Sequence, residues 1–370
     1  MRIPRRVVGA VVRAVRHLGR VTAGRVALAI APQAARRPWL AGAYFWLLDD
    51  SFQRENRAVL WGAQAFDASK QGAGASPSLL RRNVHRIEKG ILARPRRPVF
   101  ALDYIEETIT FLEGAVARCP SDEPLPPHLE WARDVIREYF EITRGRPEVA
   151  AVRARFEALQ FPASCGAAAE PLTPYHRDLT VPSPVSFDDL LALSWRRRSV
   201  RWFLPRPVPR ELIMKAVDVA RQSPSACNRQ PFHFKVFDDP TLVPKVASLP
   251  MGTGGFSHQF PAMVVVIGEQ RHYGRTRDRH LIYIDGSLAA MSFVYAAETL
   301  GLGTCCINWP DVEERERAAD RVLRLEPDQR PIMFIAVGYP DAEGMVARSV
   351  KKSVEELCLF NFEGPREISP

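Results

Sequence analysis

Apolar residues recur three and four positions apart through most of the first 160 residues, and only later does a two-residue or continuous apolar pattern take over. The helical spacing predicts helices over 39–68, 78–92, 102–118, 127–144 and 148–160, separated by Gly- and Pro-bearing loops. Residues 39–160 therefore read as an all-helical unit, with Phe45, Leu47, Leu48, Trp61, Ile105, Ile109, Leu112, Trp131, Ile136 and Phe140 as its core. Residues 161–185 carry Pro162, Pro171, Pro174, Pro182 and Pro184 with few periodic apolar positions, the mark of a linker or an extended arm. A new helix starts at Ser186, which can cap while Asp189 sits at its third position. Leu212, Ile213, Ala216, Val217 and Ala220 mark the next helix. Strands follow at 232–237 and 262–268, the second continuously apolar as a strand covered on both faces should be. From residue 284 the spacing is helical again, with Asp285 or Ser287 as cap, Leu288, Met291, Val294, Tyr295 and Leu300 along one side, and Gly301 at the end. Two more strands are predicted at 303–308 and 332–338. The second half is thus α/β to α+β, with about four strands and a long apolar helix that is either central or paired with another subunit.

Composition divides the chain the same way. Its 370 residues are enough for two domains, and 46% hydrophobic with 25% charged residues is ordinary for a globular protein. No apolar run approaches the roughly 20 residues of a membrane span. The net charge of +9 is concentrated at the start, because residues 1–48 hold nine arginines and no Asp or Glu. In the tail, residues 1–38, Val7, Val8, Val11, Val12, Val15, Leu18 and Val21 fall on one side of a helical wheel and Arg2, Arg5, Arg6, Arg13, Arg16 and Arg20 on the other. Such a helix can dock on an anionic membrane surface through residues 1–30, the alternative being a frayed basic terminus. Nucleic acid is not expected as a partner, for no interleaved aromatics or base-reading module accompany the charge. Six cysteines without Cys-x-x-Cys spacing suggest reduced thiols in a cytoplasmic setting, with possible docking at the inner membrane surface, and no zinc site. His85 and Glu88 lie one turn apart, a spacing that suits a hydrogen bond between elements better than a metal that lacks a second pair.

The residues most suited to chemistry lie between 196 and 234. A cation-rich run, Arg196-Arg-Arg-Ser-Val-Arg201, leads into the helix around Ile213, and Pro224-Ser-Ala-Cys-Asn-Arg-Gln-Pro231 follows it. Arginine forks and a serine hydroxyl suit phosphate, and amides suit a planar hydrogen-bonding ring, so the two ends are expected to face one pocket across the helix. Gly252-Thr-Gly-Gly255 neither follows a strand nor opens a helix, and reads as a flexible lid rather than a phosphate loop.

This segment resembles the signature of the FMN-dependent nitroreductase family. Further landmarks in family order are Asp285-Gly-Ser-Leu-Ala-Ala, Ala297-Glu-Thr-Leu-Gly-Leu-Gly-Thr304, Ala336-Val-Gly-Tyr-Pro340 and Lys351-Lys-Ser-Val-Glu-Glu356, so that the likeness covers about 186–358. The resemblance implies a three-layer α/β/α sandwich around a mixed sheet, an α+β domain over 186–370 preceded by the helical unit. It implies that Arg197, Arg198 and Ser199 hold the phosphate end of FMN. Arg201 would lie near N1 and O2 of the ring, Asn228 on its polar edge with Gln230 supporting the loop, and Ser225 would come from a partner subunit. Lys351 or Arg348 would be the second phosphate cation. Cys306, Asn308 and Trp309 occupy the stretch whose backbone addresses flavin N5, but Asn308 stands where many members carry an acid, which removes a carboxylate from the expected proton management.

The family pattern further implies a homodimer with flavin in the interface, and NAD(P)H and a small nitroaromatic or quinone acceptor using one slot in turn by a ping-pong scheme. No catalytic side chain is needed, since flavin N5 carries the hydride. The absence of a Gly-x-Gly-x-x-Gly after any strand agrees with a shared slot. Leu80-Arg-Arg-Asn-Val-His-Arg-Ile-Glu-Lys-Gly90 is similar to a stretch in nitroreductase-like proteins associated with surface-polysaccharide synthesis. That likeness leaves an alternative, a flavin-binding or flavin-fold scaffold without steady turnover in an envelope-polysaccharide assembly.

Overall fold

The computed structural model describes residues 31–47, 51–70, 77–120, 122–163 and 170–361. The basic stretch 1–30, Leu48 and Cys165 lie outside them. The helical unit contains α1 (Pro38–Leu47), α2 (Gln53–Ala68), α3 (Pro77–Leu92), α4 (Ile105–Val116), α5 (Pro127–Ile142) and α6 (Ala150–Glu157). Its core forms where one face of each of α3, α4 and α5 meets: Leu79, Val84 and Ile87 from α3, Ile109 and Leu112 from α4, and Val135, Ile136 and Tyr139 from α5 are all sealed from solvent. Tyr139 stays buried because its hydroxyl donates to the Phe100 carbonyl at 2.7 Å.

Three expected core residues are instead exposed: Phe45, Leu47 and Trp61. In α1 apolar residues surround the whole helix, so no single face is selected, and none of its residues is buried. Trp131 is only partly buried. Its indole donates to Glu88 Oε1 at 2.9 Å, while Glu88 Oε2 meets His85 Nδ1 at 3.2 Å. The His85–Glu88 pair thus joins α3 to α5, and no cluster of three metal-ligating side chains occurs among the described residues.

Residues 170–186 run exposed over the surface, tied down where Leu172 N–H donates to Asp134 at 3.1 Å. The second unit comprises α7 (Phe187–Arg196), α8 (Arg210–Ala220), β1 (Phe232–Phe237), α9 (Val243–Ala247), β2 (Ala262–Glu269), α10 (Leu281–Thr299), β3 (Gly303–Ile307), α11 (Glu313–Leu323), β4 (Gln329–Gly338) and α12 (Val354–Leu357). Ser186 caps α7 as read, accepting from Asp189 N–H at 3.1 Å. The strands lie in the order β1-β2-β4-β3. Every pair of them is antiparallel, and parallel pairing is confined to one bridge, Ser199 with Thr304, which is all that the described residues show of the expected mixed character.

Strand periodicity explains the three layers. Ala262, Val264 and Val266 of β2 face the α8–α10 side, whereas Met263, Val265 and Ile267 face the α9–α11 side. Helix α10 starts at Leu281, four residues before the predicted cap, with His280 at its N-cap position. Asp285 therefore lies inside the helix and is buried; it serves a neighbouring loop rather than the helix end. Gly301 follows the helix with φ +75°, which relieves the strain of the reversal into β3. No helix among the described residues is long and apolar enough to cross a membrane.

The two units pack directly on each other. A Cβ on Gly62 of α2 would lie 2.5 Å from Gln270 Cβ, and one on Gly274 would lie 2.3 Å from the Phe66 ring, so both glycines permit a close approach. Arg54 binds both carboxylate oxygens of Glu313 at 2.9 and 3.0 Å and Asp320 at 2.7 Å, fastening α2 to α11. A cleft of 760 Å³ opens beside this clamp, lined by Arg57, Glu313, Glu326 and Arg330 among others, and no predicted cofactor residue lines it.

Candidate functional site

The arginine segment lies along the β3 edge. After α7 ends, Val200 N–H donates to the Thr304 carbonyl at 2.9 Å, Ser199 bridges to Thr304, and Leu204 N–H reaches the Tyr339 carbonyl at 2.8 Å. Gly303 makes this approach possible, for a Cβ there would lie 2.9 Å from Val200. Gln259 fixes the segment from the other side, accepting from Phe203 N–H at 2.6 Å and donating to the Arg201 carbonyl. Gln259 is half-buried between Phe256 and Phe260, and nothing in the sequence around it signalled this role.

On that frame Arg197, Arg198, Ser199 and Arg201 are all half-buried. Arg196 points away, paired with Glu298 at 2.9 Å. Among the described residues, Arg197 and Arg198 have no protein acceptor for their guanidinium groups. Arg201 reaches back to the Ser199 carbonyl at 3.4 Å and stands 5.7 Å from the centre of the Phe256 ring. Burial pushes the Cys305 thiol above its ordinary value, and the nearby Arg201 charge opposes that shift. Two adjacent cations without carboxylate partners, a hydroxyl and a third cation form a donor set suited to a phosphate and an anionic ring edge.

The amide loop leads into β1 at the opposite sheet edge. Cys227, Asn228 and Gln230 all adopt left-handed backbone conformations, with φ of 53°, 52° and 51°. Ser225 Oγ accepts from Gln230 N–H at 3.0 Å, and Gln230 Nε2 donates to Asn228 Oδ1 at 3.0 Å. The amide nitrogen of Asn228 is thereby left as a directed donor. Asp285 of α10 accepts from Ala226 N–H at 3.0 Å and from the Tyr273 hydroxyl at 2.9 Å. Desolvation raises the Asp285 pKa, and the two donors oppose it.

The expectation that α8 would bring both ends to one pocket is not met within a single chain. Thr304 is level with Val337 and Ala262 at one end of the sheet, whereas Phe232 is paired with Gly268 at the other. Three interstrand spacings and six residues of strand separate these points, about 14 Å across and about 20 Å along the sheet. Helix α8 crosses the sheet face and so carries the chain to the diagonal corner.

The remaining predicted positions are scattered. Cys306 and Asn308 are exposed at and just beyond the end of β3. The Trp309 side chain turns inward, its ring 4.9 Å from that of Phe334 and its indole donating to the buried Glu316 at 2.6 Å, so only its backbone is free to meet a ligand. Arg348 and Lys351 are exposed on the irregular segment after β4. The 252–255 stretch forms a turn, anchored by buried Thr253, whose hydroxyl donates to Ala247 O at 3.0 Å.

Comparison with known proteins bears on the second unit. The Nitroreductase family model matches residues 195–253 and 245–339. A Methanothermobacter thermautotrophicus protein with the provisional name NADH dehydrogenase/NAD(P)H nitroreductase is 29% identical over 156 residues, 42% of this chain and 80% of its own length. A 4-nitrobenzoate reductase of Pseudomonas putida is 47% identical over 49 residues, 13% of this chain and 22% of its own. Among solved structures, an FMN-dependent nitroreductase of Clostridium difficile R20291 superposes with a TM-score of 0.38 at 23% identity, covering 42% of this chain and 91% of its own. The helical unit before α7 lies outside the family match, which falls within the C-terminal domain of this chain, similar over that stretch to proteins of the nitroreductase family.

Proposed function

We propose that the C-terminal domain is an FMN-dependent oxidoreductase that works as a homodimer, taking hydride from NAD(P)H and reducing a small planar acceptor of nitroaromatic or quinone type. The observation that carries this reading is the pair of half-buried guanidinium groups, Arg197 and Arg198, left without protein acceptors beside Ser199 and Arg201 at the β3 edge. Bound FMN would supply a two-electron carrier for hydride and electron transfer. Arg197, Arg198 and Ser199 would neutralise and orient its phosphate, with Lys351 or Arg348 adding a cation from the C-terminal segment. Arg201 would stabilise negative charge at one ring edge, and Asn228 Nδ2 would donate to the polar edge, with Ser225 and Gln230 holding the loop. The backbone from Cys306 to Trp309 would border the ring. Asn308 offers no carboxylate there, so the proton for a reduced acceptor would come from solvent.

The diagonal separation of clamp and loop within one chain favours a second copy that brings the loop of one subunit to the clamp of the other. Exposed apolar faces offer a surface for it: Trp195 of α7, Met214 and Val219 of α8, and Ile284, Leu288 and Met291 of α10. On the segment after β4, Met345 and Val350 are 89% and 87% exposed as well. NAD(P)H and acceptor would use the same slot in turn. Docking of residues 1–30 on an anionic membrane surface belongs to this reading as a way of placing the enzyme at the inner face of a membrane.

The test is spectroscopic. The full chain reconstituted with FMN is expected to show a bound-flavin spectrum that NAD(P)H bleaches and a quinone or nitroaromatic restores. Arg197→Ala combined with Arg201→Ala should leave a folded, colourless protein. Wild-type dimer that takes up no flavin would overturn the oxidoreductase reading, and full flavin in the double variant would overturn the clamp.

A further inference from the structure

The helical unit touches the amide loop itself. Helix α3 packs on the 226–228 turn, and Arg81 Nη2 donates to the Arg229 carbonyl at 3.2 Å. Arg229 in turn donates to the His272 carbonyl at 2.6 Å and lies between the rings of Phe66 and Tyr273, at 6.0 and 4.8 Å. One peptide unit is therefore gripped at both ends. Its carbonyl, on Arg229, is held by Arg81 from the helical unit, and its N–H, on Gln230, is held by Ser225 Oγ at 3.0 Å.

That peptide sets the left-handed φ of Gln230, and Gln230 in turn holds Asn228 Oδ1. Left-handed conformations at residues other than glycine each cost on the order of 1 kcal/mol and persist only where surroundings over-determine them. Most of the bonds that do so arise within the reductase domain, those of Asp285, His272, Ser225 and Gln230 among them. The bond from Arg81 comes from outside it. Arg81 is poorly placed for stability alone: desolvation lowers its pKa, its Nε is buried without a partner, and so is the Nε of Arg229. A half-buried guanidinium whose Nε is sealed without a partner, yet which directs its one bond at the loop peptide, is better explained by position than by affinity for its surroundings.

We infer that Arg81 is a positioning residue for the cofactor site, which makes the helical unit a structural part of that site rather than an appended module. Arg81 acts through the 229–230 peptide on Asn228, so it sets how the ring-edge donor is presented without touching the ligand. This inference rests on the flavin reading of Asn228.

The experiment compares full-length Arg81→Met, which keeps the apolar stem and removes the donor, with Arg81→Lys, which keeps a charged donor. FMN affinity is measured on apoprotein by flavin fluorescence quenching, together with the visible spectrum of the bound flavin and the melting temperature without flavin. Arg81→Met is expected to bind FMN about tenfold more weakly, with a shifted flavin band, as loss of one charge-assisted hydrogen bond implies. Its apoprotein should melt within about 2 °C of wild type, since the under-satisfied side chain contributes little net stability. Arg81→Lys should recover most of the affinity, and Arg86→Ala, whose partners are Asp103 and Tyr104, should leave it unchanged. Wild-type affinity and spectrum in Arg81→Met would overturn the inference while leaving the flavin reading intact, and so would equal losses in Met and Lys variants. A wild-type protein that binds no FMN would overturn both.

Discussion

Asp285 shows how little a residue's type says about its work. Its position ahead of an apolar run made it an N-cap candidate, because the apolar spacing does not reveal that the helix begins a turn earlier at Leu281. In the folded chain its buried carboxylate holds Ala226 N–H and the Tyr273 hydroxyl, and so supports the strained 225–230 loop from the α10 side. Asp285→Ala leaves both donors unpaired in a buried place, a cost of about 1–3 kcal/mol for each. It is expected to lower the unfolding midpoint and to weaken FMN binding together, whereas Asp285→Asn, which keeps an acceptor oxygen, should lose less of both; equal behaviour of the two variants in denaturation and flavin titration would refute this role. The cations Arg197, Arg198 and Arg201 drew attention in the sequence because Pro224-Ser-Ala-Cys-Asn-Arg-Gln-Pro231 follows them, since an arginine run alone is more often a solvated face. Gln259 and Arg81 did not, since each acts on a backbone group far away in sequence, and a single polar residue carries no trace of such a partner.

Secondary structure was the most legible level. All four strands and most of the helices follow from apolar spacing, and the uninterrupted apolar run in β2 correctly signals two covered faces; α9, α11 and α12 were not among the predicted helices, and the stretch read as one helix over 39–68 holds both α1 and α2. What spacing could not supply was the direction in which α8 carries the chain, since a helix joining two motifs fixes their separation in sequence and not the sheet corner at which each arrives. Contacts between elements of different units were equally hidden. The clamp of α2 on α11 is an example with a measurable consequence. The Arg54 hydrogen bonds hold the Glu313 carboxyl down to about 2 from its ordinary 4.5. A carboxylate whose pKa is depressed by folding contributes stability that is complete above the ordinary value and is lost as pH falls through the folded one. The advantage of wild type over Arg54→Ala, read from urea midpoints, should therefore shrink as pH falls from 4.5 towards 2. An advantage that stays constant over that interval would show that the carboxylate is not what Arg54 engages.

At the scale of the whole molecule, the helical unit and the reductase domain meet at the Arg54 clamp, at the close approaches of Gly62 and Gly274 and at the Arg81 contact, and the last lies on the loop that presents Asn228. The two halves of the proposed cofactor site sit at diagonal corners of one sheet, and that placement has a genetic consequence. If each site takes its arginine clamp from one subunit and its amide loop from the other, defects in the two halves should complement. A subunit with Arg197→Ala and Arg201→Ala, and a subunit with Asn228→Ala, would each assemble into barren homodimers. Mixed by unfolding and refolding together, half the dimers would be heterodimers, and each of these would carry one intact and one doubly impaired site. About a quarter of all sites should then regain flavin, counted by absorbance after gel filtration. A mixture that stays colourless would mean that clamp and loop serve their ligand from the same chain.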